Sequence, residues 1–241
     1  MNQHGTHSLW ENPAEWDAER YHRISAPQVA WGERVLDRVV LRGDETVLDA
    51  GCGTGRLTAK LIERLPSGCV LAVDKSQNML RAASEHLSLR FGSRARFVRA
   101  DLAWLPCERA ADGIFSTAAF HWVTDHPRLF RSLFESLKPG GWLIAQCGGA
   151  GNLMRFHRRV LGLTASAPYD RYFAGWREPK EYADDAVTAE RLRAAGFTDI
   201  RTSLEPAPTS FGSAEEYVEF VASVVLRLHL SRLPDGGSRA S

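Results

Sequence analysis

VLDAGCGTGRLTAKL, residues Val47 to Leu61, changes character halfway along its length. An apolar run carrying Asp49 gives way to Gly51, Gly53 and Gly55, and then to a helical pattern. Glycine gives up more backbone freedom on folding than any other residue. A cluster of them between a strand and a helix therefore marks a place where a ligand needs bare backbone.

Phosphate is the first ligand to consider, and the spacing argues against it. The dinucleotide fingerprint G-x-G-x-x-G uses its third glycine for close helix–strand packing. Counting from Gly51, that position holds Arg56. A P-loop requires Gly-Lys-Ser/Thr, whereas Gly55 is followed by Arg56 and Leu57. Neither phosphate-binding pattern fits this loop.

Outward from this stretch, short apolar strands alternate with helical patterns, the signature of a parallel sheet wrapped by helices. TVLDAG (Thr46 to Gly51) predicts a strand entering the loop. Leu57, Leu61, Ile62 and Leu65 share one face of the following helix, which stops at Pro66-Ser67-Gly68. CVLAVDKS (Cys69 to Ser76) is a second strand, almost continuously apolar, as strands buried on both faces are. QNMLRAASEHL predicts a helix, ARFVRADLAWLP a third strand ending near Asp101, and DGIFSTAAFHWV (Asp112 to Val123) a fourth strand followed by a loop. HPRLFRSLFESL is an amphipathic helix stopped by Pro139-Gly140-Gly141, and WLIAQCG a fifth strand. Beyond Gly148 the pattern becomes helices and loops inserted over the site. A helix (TAERLRAAGF), a strand (TDIRTSLEP) and a long helix capped by Ser213 with Glu216 in a capping box complete the chain. The expected fold is α/β: a mostly parallel central sheet with helices on both faces and a helical cap. A single domain is expected, with an N-terminal helical cap over 1–40, a core over 41–148, a cap insertion over 149–185 and the C-terminal part of the core over 186–233.

Composition bounds the function. The 241 residues are 44% hydrophobic and carry a net charge of +1, enough for a sizeable core but no global field to recruit nucleic acid or an anionic membrane. Cys52, Cys69, Cys107 and Cys147 form no C-x-x-C pair, so reduced packing cysteines of a cytoplasmic protein are expected rather than zinc or a disulfide framework. The N-terminus is polar with no signal-peptide core, no apolar run is long enough to span a bilayer, and fraying is expected at the first residues and from Pro234 onward.

VLDAGCGTG closely resembles motif I of the class I S-adenosylmethionine-dependent methyltransferases, whose fold is Rossmann-like. The resemblance implies that Gly51, Gly53 and Gly55, with Cys52 inside the loop, pass close to the methionine moiety and ribose, and that Asp49 is oriented toward the methionine ammonium. A ribose diol calls for a carboxylate at the end of the next strand; Asp74 in LAVDKS stands there, about 20 residues past the loop. DKSQNML resembles the segment that follows, implying Lys75, Ser76 and Met79 around the adenine pocket. RADLAWLP resembles the third-strand motif, implying that Asp101 receives the adenine amino group with Leu102 alongside. LKPGGWL resembles the turn before the fifth strand. These matches run in order from Val47 to Leu143 and imply S-adenosyl-L-methionine as cofactor and S-adenosyl-L-homocysteine as product.

The acceptor is addressed by STAAFHWVTDH, Ser116 to His126, because the carboxyl ends of strands face the ligand in doubly wound folds. Thr117 would border the methionine part of the cofactor. AAFHWVTDHPRLF resembles the corresponding segment of trans-aconitate and juvenile-hormone-acid-type carboxyl methyltransferases. LWENPAEWDAERYHRISAPQVAWGERVL resembles the N-terminal cap of the same group. That resemblance implies that Gln28 and Trp122 hold an acceptor carboxylate through neutral N–H groups. His121 has three readings: a general base for a phenol or hydroxyl, a donor to a carboxylate, or a supporting residue behind the site. Trp10, Trp16, Tyr21 and Arg23, and in the insertion Tyr169, Tyr172, Phe173 and Trp176, are candidates for an acceptor pocket or for packing in the cap. Arg155, Arg158, Arg159 and Arg177 either contact a polyacid or form a solvated face. No metal is expected, since no Asp/Glu/His cluster has ligand spacing. The expected partner is a small-molecule acceptor, most simply a carboxylate. A phenol or hydroxyl acceptor with His121 as base, and a non-catalytic cofactor-binding protein, are the alternatives.

Overall fold

The computed structural model describes residues 15–234. Trp10, the Asn12-Pro13 pair and residues 235–241 lie outside the described residues. Five strands form one sheet: β1 (Thr46–Ala50), β2 (Cys69–Asp74), β3 (Ala95–Arg99), β4 (Ala111–Thr117) and β5 (Leu137–Gln146). Their order is β3-β2-β1-β4-β5 and every neighbouring pair is parallel. The helices are α1 (Ala18–Ile24), α2 (Ala26–Leu36), α3 (Arg56–Glu63), α4 (Gln77–Phe91), α5 (His126–Ser136), α6 (Met154–Thr164), α7 (Asp170–Phe173), α8 (Asp185–Ala195), α9 (Ala214–Phe220) and α10 (Arg227–Leu230).

Strand periodicity divides the core into two layers. Val47 and Phe115 point to one face and pack with Val35 and Leu36 of α2, Leu61 and Ile62 of α3, and Ala83 and Leu87 of α4. Leu48, Ala50 and Ile114 point to the other and meet Leu129, Phe130 and Leu133 of α5, with Leu192, Ala195 and Phe197 packed behind them. The central strands are thus buried on both faces, which is why they read as nearly continuous apolar runs. All four cysteines are free thiols, and Cys52 packs with Ala72 and Leu80.

Three elements depart from the sequence reading. The strand expected over 198–206 does not form, so the 186–233 region contributes α8 to the core but no strand to the sheet. Asp199 has φ 51, a left-handed conformation that breaks an extended run at its start. Thr202 turns its hydroxyl to the Asp185 carbonyl at 2.9 Å, and Pro206 and Pro208 have no N–H for a ladder. The long helix expected from Ser213 is broken: a π-helical turn at Val221–Val225 separates α9 from α10. Pro139-Gly140-Gly141 does not separate α5 from the fifth strand but lies inside β5 as a bulge, with Ala111 opposite Leu137 and Gly113 opposite Trp142.

Candidate functional site

The strand order reverses direction between β1 and β4, and open α/β sheets bind ligands at such a point, outside the carboxyl ends of the strands. The glycine loop leaves the end of β1 there and residues Thr117–Trp122 leave the end of β4. A cavity of about 2290 Å³ opens over both, lined by Gly51, Gly53, Asp74, Met79, Thr117 and Trp122 among others.

The loop is built to expose backbone. Gly53 has φ +55, and a Cβ placed on it would have Tyr21 Cε1, 3.8 Å away, as its nearest neighbour. Space is therefore left open over the peptide. Gly55, at φ +82, serves packing instead: a Cβ there would sit 2.8 Å from Leu87 of α4. The packing glycine of this chain is thus one place earlier than in the dinucleotide fingerprint. Asp74 ties the loop to the next helix, its Oδ2 accepting from Gly53 N at 2.9 Å and its Oδ1 from Ser76 N at 2.9 Å. Burial raises the Asp74 carboxyl against the pull of these N–H groups. Ser76 caps α4 by accepting from Met79 N at 3.3 Å. Asp49 is buried at 3% exposure, accepts from Thr58 Oγ1 at 2.6 Å, and is pushed up to about 7 by burial.

Beside β2 and β3, the buried Met79 and Leu102 line the cavity. Asp101 is already engaged: its Oδ1 accepts from Ala103 N at 3.0 Å and its Oδ2 from Lys75 Nζ at 2.7 Å. Lys75 is largely exposed and turned to that carboxylate. Arg128 stacks over the exposed Trp104 ring at 3.7 Å beside this edge.

A single 3₁₀ turn, Phe120–Trp122, presents the residues after β4. The His121 ring stacks on Tyr182, centroids 5.7 Å apart, and its Nδ1 accepts from Gly148 N at 3.2 Å. Burial, with the nearby Lys180 and His126, lowers His121 to about 3. Trp122 meets Trp16 edge-on at 5.2 Å. Lys180 Nζ stands 4.7 Å over the Trp122 ring; it also donates to Val225 O at 2.9 Å and pairs with Glu178. Burial raises Glu178, but hydrogen bonds from His157 and Lys180 outweigh it and hold the carboxyl at about 2. Arg227 lies 4.4 Å over Trp16 and donates to the Glu15 carbonyl at 3.1 Å. Gln28, 7% exposed, borders both the large cavity and a second cavity of about 40 Å³ behind the glycine loop. Cys52, Asp49 and Thr117 also border the small one, and Gln28 Oε1 has no hydrogen-bond partner.

Gln28, Trp122, His121, Gly51 and Gly53 thus converge on one space, as do Trp16 and Tyr21, whereas Asp49 and Cys52 border only the small cavity and Gly55 borders neither. Several other candidates do not. Arg155, Arg158, Arg159 and Arg177 are exposed and do not border the cavity, and Arg23 turns to Glu219 at 3.7 Å. In the insertion, Phe173 and Trp176 pack against each other and His229, so together with Tyr169 and Tyr172 they leave the cavity wall to Phe156 and Tyr182. Lys180, Arg227 and Glu15 escaped the sequence reading because nothing in their own segments reports the tryptophan or helix end that each one reaches. Glu15 accepts from Ser76 Oγ at 2.8 Å and from Asn78 N at 3.2 Å, which straps the N-terminal segment over α4. Among the described residues no three His, Cys, Asp or Glu side chains converge as a metal site, and no helix is long and apolar enough to cross a membrane.

The residues fit a nucleoside with an amino-acid end. Open space over the Gly53 peptide, the Asp74 carboxylate beside it and the orphaned Gln28 acceptor provide for a sugar and an ammonium group. Comparison with known proteins agrees. A methyltransferase-domain family model matches residues 47–141. A trans-aconitate 2-methyltransferase of Variovorax paradoxus is 32% identical over 232 residues, covering 91% of this chain and 83% of the relative. One from Deinococcus radiodurans is 31% identical, covering 93% and 86%. Among solved structures, phosphoethanolamine N-methyltransferase 2 of Haemonchus contortus, in complex with phosphomonomethylethanolamine and S-adenosylhomocysteine, shares the fold. Its TM-score is 0.59 at 21% identity, over 76% of this chain and 41% of that one.

Proposed function

Because the chain belongs to the class I S-adenosylmethionine-dependent methyltransferases, we propose that it methylates a carboxylate oxygen of a small organic acid. The observation that carries this reading is the state of His121. Its Nδ1 is filled by the Gly148 N–H and its pKa is lowered to about 3 by burial, so it holds no useful affinity for an acceptor's proton. A phenol or alcohol would need such a base, whereas a carboxylate is already ionised at neutral pH. The relatives, named for methylation of trans-aconitate, support the same choice.

When bound, S-adenosylmethionine supplies an activated sulfonium methyl and leaves as S-adenosylhomocysteine. The protein's part is to position the acceptor and exclude water. Asp74 would take the ribose, Met79 and Leu102 the adenine face, and Asp49 with the glycine loop the methionine end. With Lys75 bound to it, Asp101 is left to shape the adenine edge. Trp122 and Gln28 would hold the acceptor carboxylate through neutral N–H groups, leaving its oxygen nucleophilic where a tight arginine pair would not. The balanced charge offers no footprint for nucleic acid.

The test is a methyl-transfer screen over carboxylic acids and phenols, with a pH–rate profile on the best acceptor. The expected result is an acid with a profile flat from pH 8 down to about 5.5, weakened tenfold or more in kcat/KM by Trp122→Ala and Gln28→Ala. A phenol whose rate falls through the histidine range returns His121 to the role of base. Cofactor binding with no product from either class indicates a binding protein.

A further inference from the structure

Lys180 comes from the 177–182 segment between α7 and α8, and its side chain is 3% exposed. A buried ammonium needs partners for its three N–H groups. Glu178 takes one and the Val225 carbonyl, 2.9 Å away, a second. The third neighbour is the face of Trp122, with Nζ 4.7 Å from the ring centroid. Each anchor is itself held. Glu178 also pairs with His157 at 3.4 Å, and Val225 closes the π-helical turn between α9 and α10, a feature frequent at functional sites. Trp16 stands edge-on to the same indole, its ring turned 89° from it, and Arg227 approaches that ring at 6.0 Å.

Stability does not account for the ammonium. Replacing a buried ion pair by apolar side chains of similar volume is often neutral or stabilising, and a methionine would cover the indole with no charge to desolvate. What the pair adds is direction, because a cation over a desolvated ring face favours one orientation of that ring. Glu178 offsets the ammonium's charge locally, so an acceptor carboxylate beside Trp122 is not drawn into a tight ion pair. We propose that Lys180 is a positioning residue for methyl transfer: pinned by Glu178 and the Val225 carbonyl, it locks the Trp122 indole in the orientation that presents its N–H to the acceptor. This rests on the reading of Trp122 as a donor to the acceptor carboxylate.

The test replaces the pair, Lys180→Met with Glu178→Gln, because removing the lysine alone would strand a buried carboxylate. The near-UV circular dichroism of Trp122 is read as the difference between each protein and the same protein carrying Trp122→Phe. That difference is expected to fall by about half or more in the pair variant, while S-adenosylhomocysteine affinity by calorimetry stays within about threefold of wild type. With the best acid from the screen above, kcat/KM should drop about tenfold. The same pair should cost less than about twofold in the Trp122→Phe background, since residues that act through one another are not additive. Lys180→Gln keeps N–H donors but places no charge over the ring, and is a second variant with the same expectations. Lys180→Arg, whose guanidinium stacks on aromatic faces, should retain both the Trp122 signal and the rate. An undiminished Trp122 signal, or losses that add in the Trp122→Phe background, overturns the inference. If Trp122→Phe lowers kcat/KM and the Lys180 variants do not, only this inference falls. If Trp122→Phe alone leaves kcat/KM unchanged, or no acid is methylated, the reading of Trp122 as carboxylate donor falls and takes the inference with it.

Discussion

Asp74 accepts two backbone N–H groups, from Gly53 and Ser76, so one carboxylate fixes both walls of the nucleoside crevice. Asp74→Ala should weaken S-adenosylhomocysteine binding by calorimetry at least a hundredfold, and Asp74→Asn less; affinity retained in the alanine variant removes Asp74 from the site. Asp49 makes a sharper prediction because its carboxyl is raised to about 7 by burial. The folded protein binds that proton more tightly than the unfolded chain, so this group's contribution to stability is complete below pH ~4 and is lost as pH rises through about 7. Asp49→Asn keeps an acceptor for Thr58 and removes the buried charge. At pH 8 the ligand-free variant should be more stable than wild type, by a few kcal/mol at most, and the gain should vanish near pH 4. Urea unfolding at the two pH values measures it, and equal stability at pH 8 contradicts the assignment. The turn at the glycines and the place of Asp74 at the end of β2 were legible in the sequence because they depend on backbone conformation and spacing. Lys180 was not, since a lysine beside a proline carries no sign of the tryptophan it will cover.

At the level of elements, α4 shows how distant segments complete one another. Ser76 supplies the local cap that its sequence position suggests. Glu15 supplies a second, accepting from Gln77 N and Asn78 N at 3.2 Å each across 62 and 63 residues. Anions are favoured at a helix N-terminus, and hydrogen bonds from Ser76, Gln77 and Asn78 bring Glu15 below the ordinary carboxylate range against the effect of burial. Glu15→Ala should cost ~1 kcal/mol of stability and weaken cofactor binding severalfold by releasing the strap beside Asp74. Thermal unfolding with and without S-adenosylhomocysteine separates the two effects, and identical midpoints in both conditions remove the role. The 198–206 segment failed as a strand for a related reason. Ile200, Thr202 and Leu204 would share one strand face, but the left-handed Asp199 and the Thr202 hydroxyl turned to the Asp185 carbonyl hold the segment out of the sheet. The π-helical turn was equally invisible: Val221–Val225 suits a regular helix, yet there the Val225 carbonyl receives Lys180.

Across the whole molecule, the two core layers carry the stability and the N- and C-terminal segments close over the crevice between them. Leu133 is fully buried in the layer under α5; Leu133→Ala should cost about 2–5 kcal/mol. A smaller loss in urea unfolding would mean that this layer collapses around the deletion. By contrast, the tie from Arg20 to Glu219, 3.2 Å long but more than a third exposed on both sides, contributes little by itself. Its interest is geometric, because it joins α1 to α9 where both border the cavity.

The sequence by itself determined the five parallel strands, most of their flanking helices and the crevice at the end of β1. Those features follow from short-range rules, namely apolar periodicity, glycine where backbone must be bare, and a carboxylate at the end of the next strand. Only the tertiary structure decided what faces that crevice beyond the end of β4. Whether an arginine faces ligand or solvent, whether a histidine titrates, and which cation stands over Trp122 depend on residues brought together from α1, α2, the 177–182 segment and the C-terminal turn. Charge and hydrogen bonding act through space, and at that range sequence spacing does not report distance.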